Sequence, residues 1–252
     1  MNKIALVTGG SRGLGRNMAE ALASKGLDVI ITYKSNTEEA NKVVLALQEQ
    51  GVKAHALQLD TADSQSFAAF SDTLKESLST HLQTDKISYL INNAGIGIHA
   101  SFEQTTMEQF DQLMNIHFKG AFFLTQQLVS TLIADGGGII NISTGLTRFA
   151  TPGYAAYASM KGAMETLTKY QAKELGSRGI NVNIVAPGAI ETDFGGGLVR
   201  DNKQLNDMLA AQTALGRVGV PGDIGGVVAF LCSDEAKWIT AQRIEISGGM
   251  FL

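Results

Sequence analysis

The chain holds one cysteine, Cys232, in 252 residues, so no disulfide can close within it. Runs of basic residues are also missing. With 20 Lys+Arg against 24 Asp+Glu the formal charge is -4, and nothing draws in a nucleic-acid backbone electrostatically. Charges or glycines break every apolar stretch well short of the roughly 20 residues that a membrane span takes, so no membrane association is expected. Met1 to Val7 runs straight into glycines where a cleavable leader would have a small-residue cleavage site, and a cytoplasmic protein is the expectation. No internal repeat or low-complexity segment interrupts the pattern, and no metal site is expected. What is present, 44% hydrophobic and 17% charged residues, is enough to bury the core of a single α/β domain spanning 1–252.

Seven short apolar runs recur along the chain: Ile4–Val7, Val29–Thr32, Ala54–Leu59, Ile87–Ile91, Ile139–Ile142, Ile180–Val185 and Ile244–Ile246. Between them the spacing predicts helices near 13–25, 37–50, 64–80, 106–134, 154–176 and 222–233. Strands that are continuous in apolar residues and alternate with helices belong in a parallel sheet covered on both faces. The expectation is therefore a doubly wound, Rossmann-type α/β fold with seven parallel strands. Thr105 with Glu108 has the form of a capping box for the 106–134 helix, and Gly136-Gly137-Gly138 would end it. Phe110, Leu113, Met114, Phe118, Phe122 and Leu128 give that helix more apolar surface than one sheet face requires, to be covered by the core or by another subunit. Gly195-Gly196-Gly197 through Gly216 brackets a helical insertion where a substrate lid, at about 190–216, could hinge.

Two motifs carry chemistry. Thr8-Gly9-Gly10-Ser11-Arg12-Gly13-Leu14-Gly15 follows a strand and opens a helix, where glycines admit a pyrophosphate to the backbone and the helix N-terminus offers unpaired N–H groups. Tyr157 and Lys161 stand four apart in a helical stretch, so a phenol and an ammonium share one face. A fixed cation there would favour tyrosinate and make the phenol a usable acid or base near neutrality.

The Thr-Gly-x-x-x-Gly-x-Gly spacing, Asn92-Asn93-Ala94-Gly95 after the fourth strand and Tyr157-x-x-x-Lys161 together resemble the short-chain dehydrogenase/reductase family over essentially the whole chain. Asp60-Thr61, Pro187-Gly188 with Thr192, and a C-terminal Gly-Gly extend the likeness. The resemblance implies that Tyr157 exchanges the substrate proton, that Lys161 lowers its pKa and holds the nicotinamide ribose, and that a hydroxyl residue of the fifth strand binds the substrate oxygen. Counting back 13 from Tyr157 gives Thr144, with Ser143 as the alternative. His117 stands where the family has an asparagine whose carbonyl holds a relay water near the lysine.

By the same resemblance, the cofactor site takes in Gly9, Ser11, Arg12, Gly13, Leu14 and Gly15 of the glycine loop, with Tyr33, Lys34 and Ser35 after the second strand. Asp60 and Thr61, Asn93, Ala94 and Gly95, Tyr157 and Lys161, and Pro187, Gly188, Ile190 and Thr192 complete it. NAD enzymes of this fold usually place an acid after the second strand. Tyr33 occupies that place, while Arg12 and Lys34 could clamp a 2′-phosphate, which favours NADP(H) over NAD(H).

The expected activity is interconversion of a ketone or aldehyde and an alcohol. The pocket candidates Ile96, Ile98, His99, Leu146, Phe149, Tyr154, Phe194 and Leu198 are mainly apolar. Two alternatives stand beside it. Ser247-Gly248-Gly249-Met250-Phe251-Leu252 and Arg217-x-Gly219-x-Pro221 resemble bacterial 3-oxoacyl-carrier-protein reductases, although Arg200 and Lys203 alone could serve as cationic docking points. From another class, a sensor that binds NADPH without turnover would share the fold. The resemblance further implies a homotetramer pairing the 106–134 and 154–176 helices.

Overall fold

The computed structural model describes residues 3–252. Seven strands, β1 Ile4–Val7, β2 Asp28–Tyr33, β3 Ala54–Gln58, β4 Ile87–Asn92, β5 Ile133–Ile142, β6 Asn181–Pro187 and β7 Arg243–Ile246, form one parallel sheet in the order β3-β2-β1-β4-β5-β6-β7. The order reverses between β1 and β4, which opens a crevice at the carboxyl edge of the sheet.

Alternation along β1 shows how both faces are covered. Ala5 and Val7 pack with α1 (Gly13–Ser24), α2 (Thr37–Gln48) and α9 (Gly222–Leu231). Ile4 and Leu6 pack on the opposite face with α3 (Phe67–Ser77), α5 (Ala121–Thr131) and α6 (Ala155–Leu175). A strand buried on both faces needs an apolar residue at every position, which is why these runs read as continuous. Cys232, at the end of α9, is buried, and burial pushes its thiol pKa up.

Three expectations about the 106–134 segment are corrected. The capping box is formed by Thr106 and Gln109, one residue later than Thr105 and Glu108. The segment is α4 (Met107–Met114) and α5 joined by a π-turn over Asn115–Gly120. At Gly120 an added Cβ would come within 2.0 Å of the Thr61 carbonyl oxygen, so the helix passes too close to the β3–α3 connection for any other residue. Gly136–Gly138 lie inside β5 instead of ending a helix, with an added Cβ at Gly137 only 2.2 Å from Ser88 O.

The insertion after β6 contains two short helices, α7 (Leu198–Asp201) and α8 (Lys203–Ala211). Gly195, Gly196 and Gly197 all have positive φ ahead of α7, a run that only glycine adopts without strain. Among the described residues no helix is long and apolar enough to cross a membrane.

Candidate active site

The glycine loop and the loop after β4 are sewn together by Thr8. Its hydroxyl donates to Ile91 O at 3.2 Å and accepts from Asn93 N at 2.9 Å and Ala94 N at 3.0 Å. Asn93 returns its amide to Thr8 O at 2.8 Å and Gly9 O at 3.2 Å. Asn93 therefore shapes the loop with its side chain and has no amide proton left for a ligand. Gly9 and Gly13 have positive φ, and an added Cβ at Gly15 would stand 2.2 Å from Gly9 O, so the tight turn and the close helix approach both require glycine. Leu14 turns into the core.

No side chain caps α1 and no acid lies in its first turn, which leaves its N–H groups and positive dipole end open to an anion. Across the crevice Gly13 faces Thr192, whose hydroxyl accepts from Phe194 N at 3.2 Å. Gly188 donates to Ile246 O at 3.0 Å, and Ile190 bridges to Gly219, so this wall, which starts at Pro187, is anchored to the sheet. The residues fit a dinucleotide pyrophosphate.

At the ribose end, exposed Lys34 pairs with half-buried Asp60 at 2.8 Å. Burial opposes ionisation of Asp60, but Lys34 and the Ala62 N–H hold its carboxyl below the usual range. Lys34 is thus partnered by a carboxylate. Exposed pairs contribute about 0–1 kcal/mol, so a phosphate could still compete for it. Arg12 is exposed, and its guanidinium forms no hydrogen bond or ion pair among the described residues. Tyr33 accepts from Thr37 at 3.3 Å and Ser35 lies exposed beside it.

Helix α6 carries Tyr157, Lys161 and Glu165 on one face. Lys161 Nζ donates to Ile142 O at 2.7 Å and lies 5.9 Å from the centre of the Tyr157 ring. Burial pushes the Tyr157 phenol up, with the Thr144 hydroxyl pulling it partly back. Burial brings Lys161 down to about 7. Burial is the largest influence on the resting phenol. A phenol raised in this way stays protonated at neutral pH.

The two hydroxyl candidates part company. Ser143 donates to Glu165 Oε1 at 2.6 Å, whereas Thr144 faces Tyr157. Glu165 Oε1 also accepts from Thr147 at 2.6 Å and Arg243 Nε at 2.7 Å. Arg243 reaches Thr144 O at 3.2 Å and Glu245 Oε2 at 2.9 Å. Arg148 completes the lattice through Glu245 and the Met250 and Phe251 carbonyls. Sequence reasoning missed Glu165 and its arginine, although Glu165 stands four beyond Lys161, one more step of the same helical stripe.

Ile96, Ile98, Leu146 and Tyr154 pack around Tyr157. The Phe194 ring lies 5.6 Å from that of Tyr157 and His99 lies 5.1 Å from Tyr154. Phe149 instead packs at a tilt against Phe251, ring centres 4.6 Å apart. His117 is buried in the π-turn, edge-on to Tyr157 at 5.1 Å. Burial first, and the Lys161 charge second, bring its pKa down to about 3, so the ring is neutral.

A family model described as enoyl-(acyl carrier protein) reductase matches residues 9–251. The 3-oxoacyl-acyl-carrier-protein reductase FabG of Staphylococcus aureus is 38% identical over 253 residues, covering 100% of this chain and 99% of its own. The chain is a short-chain dehydrogenase/reductase. Among solved structures, the promiscuous reductase LugOII, described as catalysing keto-reduction at C1 during lugdunomycin biosynthesis, superposes with TM-score 0.93 at 38% identity over 99% of this chain and 98% of that one. The landomycin C-6 ketoreductase LanV, with bound NADP and rabelomycin, gives 0.89 at 36% identity over 99% and 96%. The chain is accordingly an oxidoreductase enzyme with the seven-stranded sheet of this family.

Proposed function

We propose that this short-chain dehydrogenase/reductase reduces a free ketone to an alcohol with NADPH. The observation that carries the reading is the convergence of Thr144 on a buried, protonated Tyr157 beside Lys161. The bound cofactor supplies a hydride to the carbonyl carbon. Thr144 donates a hydrogen bond that orients the carbonyl oxygen, and Tyr157 gives that oxygen its phenolic proton. The Lys161 ammonium stabilises the tyrosinate that results, a charge that develops only as the reaction proceeds. In the reverse direction tyrosinate is the base, so alcohol oxidation gains as pH rises.

Arg12 supports the NADPH preference, since it is the open cation at the ribose end, and the NADP bound to LanV agrees with it. The charge pattern of the lid supports a free substrate. Arg200 is held by Asp193 and Asp201, and Lys203 by Asp207 at 2.7 Å. The two cations that could have met an acidic carrier protein are neutralised within the lid, and the rings of Tyr154, Tyr157 and Phe194 suit a flat or aromatic body. The homotetramer and the lid motion remain part of this proposal.

The test is loss of reduced-nicotinamide absorbance with NADPH and NADH in parallel, over bicyclic aromatic ketones, simple ketones, an acetoacetyl thioester free and on carrier protein, and an enoyl thioester. Turnover of the bicyclic ketones with NADPH is expected. Preference for the carrier-bound thioester would replace this reading with 3-oxoacyl reduction, and no turnover of any carbonyl would end it.

A further inference from the structure

We propose that Arg243, locked between Glu165 and Glu245, is a positioning residue for the Thr144 hydroxyl, a role that rests on the ketone-reduction reading. The sheet ladder stops just short of Thr144. Ile142 is the last residue of β5, and Ser143 N makes the final bond to β6, at 2.7 Å to Val185 O. Thr144 then leaves the sheet with extended backbone, at the head of a 3₁₀ turn over Gly145–Thr147. Its hydroxyl accepts from Leu146 N at 3.3 Å, which leaves the hydroxyl proton for a substrate oxygen.

The Thr144 carbonyl is where this backbone is held. Thr147 N reaches it at 3.4 Å and Thr147 Oγ1 at 2.9 Å, both from within the turn. The Thr147 hydroxyl also lies 2.6 Å from Glu165 Oε1, and its single proton goes to that carboxylate, the closer and charged acceptor. Arg243 Nη2 donates to the same carbonyl at 3.2 Å. Among the described residues no other hydrogen bond reaches this carbonyl from beyond the turn. A fixed carbonyl sets the Thr144 backbone, and the stiff χ1 of a β-branched residue passes that constraint to the hydroxyl.

The surroundings of Arg243 hold its orientation. Arg243 and Glu245 alternate along β7 with Ile244 and Ile246, so they share one face while the isoleucines pack against the core on the other. Register sets Arg243 level with Asn141, two strands away, a gap of about 10 Å that a long side chain is needed to cross. Nε donates to Glu165 Oε1 at 2.7 Å, Nη1 to Glu245 Oε2 at 2.9 Å, and Nη2 also to Thr147 Oγ1 at 3.1 Å. With every guanidinium nitrogen engaged, the plane of the group is fixed. Ser143 steadies Glu165 and Arg148 steadies Glu245, so two arginines face two carboxylates. The group sets geometry beside Tyr157 without adding net charge.

Arg243→Lys keeps a cation between the two carboxylates and loses the fork that reaches Thr144. Its melting temperature should stay close to wild type, while kcat for ketone reduction falls about fivefold and KM for NADPH holds. In a Thr144→Ala background the same change should cost no further kcat, since no hydroxyl remains to be placed. An equal fall in both backgrounds, or none in either, would overturn the proposal. Threonine-methyl NMR on the protein alone requires no turnover. It should show one χ1 rotamer for Thr144 in the wild type and averaging in Arg243→Lys, and the same rotamer distribution in both would also overturn the proposal. If no ketone is reduced, the functional reading fails and the NMR decides the positioning by itself. Should Arg243→Lys not fold, Glu165→Gln keeps the acceptor oxygen and weakens the hold on Arg243. It should bring the same averaging at Thr144, and an unchanged rotamer there would count against Arg243 in the same way.

Discussion

The floor of the site and the lid above it are built on opposite principles. The floor, from Ile142 to Glu165 with His117 of the π-turn against it, buries Tyr157, Lys161 and His117 and ties its polar atoms to fixed partners. The lid, from Asp193 to Gly216, begins with three glycines of positive φ and holds itself by exposed ion pairs. Exposed pairs are weak and glycine turns are soft, so the insertion is held less firmly than the floor. On the proposed function, reaction chemistry would belong to the floor, and substrate choice to the insertion and the rings it carries.

The largest break should come from Tyr157→Phe, which is expected to retain cofactor binding by fluorescence titration while turnover falls by about 10³–10⁴. Comparable turnover in that protein would remove the floor's claim to the chemistry. Next, Thr144→Ala should lower kcat by about 10², whereas Ser143→Ala should spare kcat and lower stability by about 1 kcal/mol. Denaturant melts and steady-state rates on both proteins check the division, and a reversed order would return the catalytic hydroxyl to Ser143. Arg12→Ala should raise KM for NADPH about tenfold, equivalent to ~1.4 kcal/mol, with little change for NADH.

The smallest effect lies in the polar lattice beneath Thr144. Burial opposes ionisation of Glu245, yet Arg148, Arg243 and Ser247 hold its carboxyl down at about 2. A depressed carboxyl contributes stability that is full above its unfolded pKa and fades as pH falls through its folded one. Melting temperature should therefore drop between about pH 4.5 and 2, less steeply in Glu245→Gln. The group is partly exposed, so the difference will be modest.

How far the sequence reaches follows from the range of the interactions. The seven strands and their alternation with helices were readable, because burial on both faces writes itself into consecutive residues. The π-turn was not, and the close approach of its Gly120 to the Thr61 carbonyl comes from a distant loop that no local pattern shows. Likewise, Lys34 and Asp60 sit on neighbouring connections and show no pairing signal in one chain of letters. Spacing from Tyr157 favoured Thr144, with Ser143 one residue away as the alternative. Both lie just past the end of β5, and only the bond from Ser143 to Glu165 shows which of the two is engaged away from the tyrosine.

Cys232 gives the molecule a built-in stopwatch. The chain has one thiol, held in the core with its pKa pushed up, and alkylating reagents need both access and thiolate. Labelling under native conditions consequently waits for α9 to come away from the sheet. Its rate times the breathing of the nucleotide-binding half, and ligands that clamp that half should slow the clock.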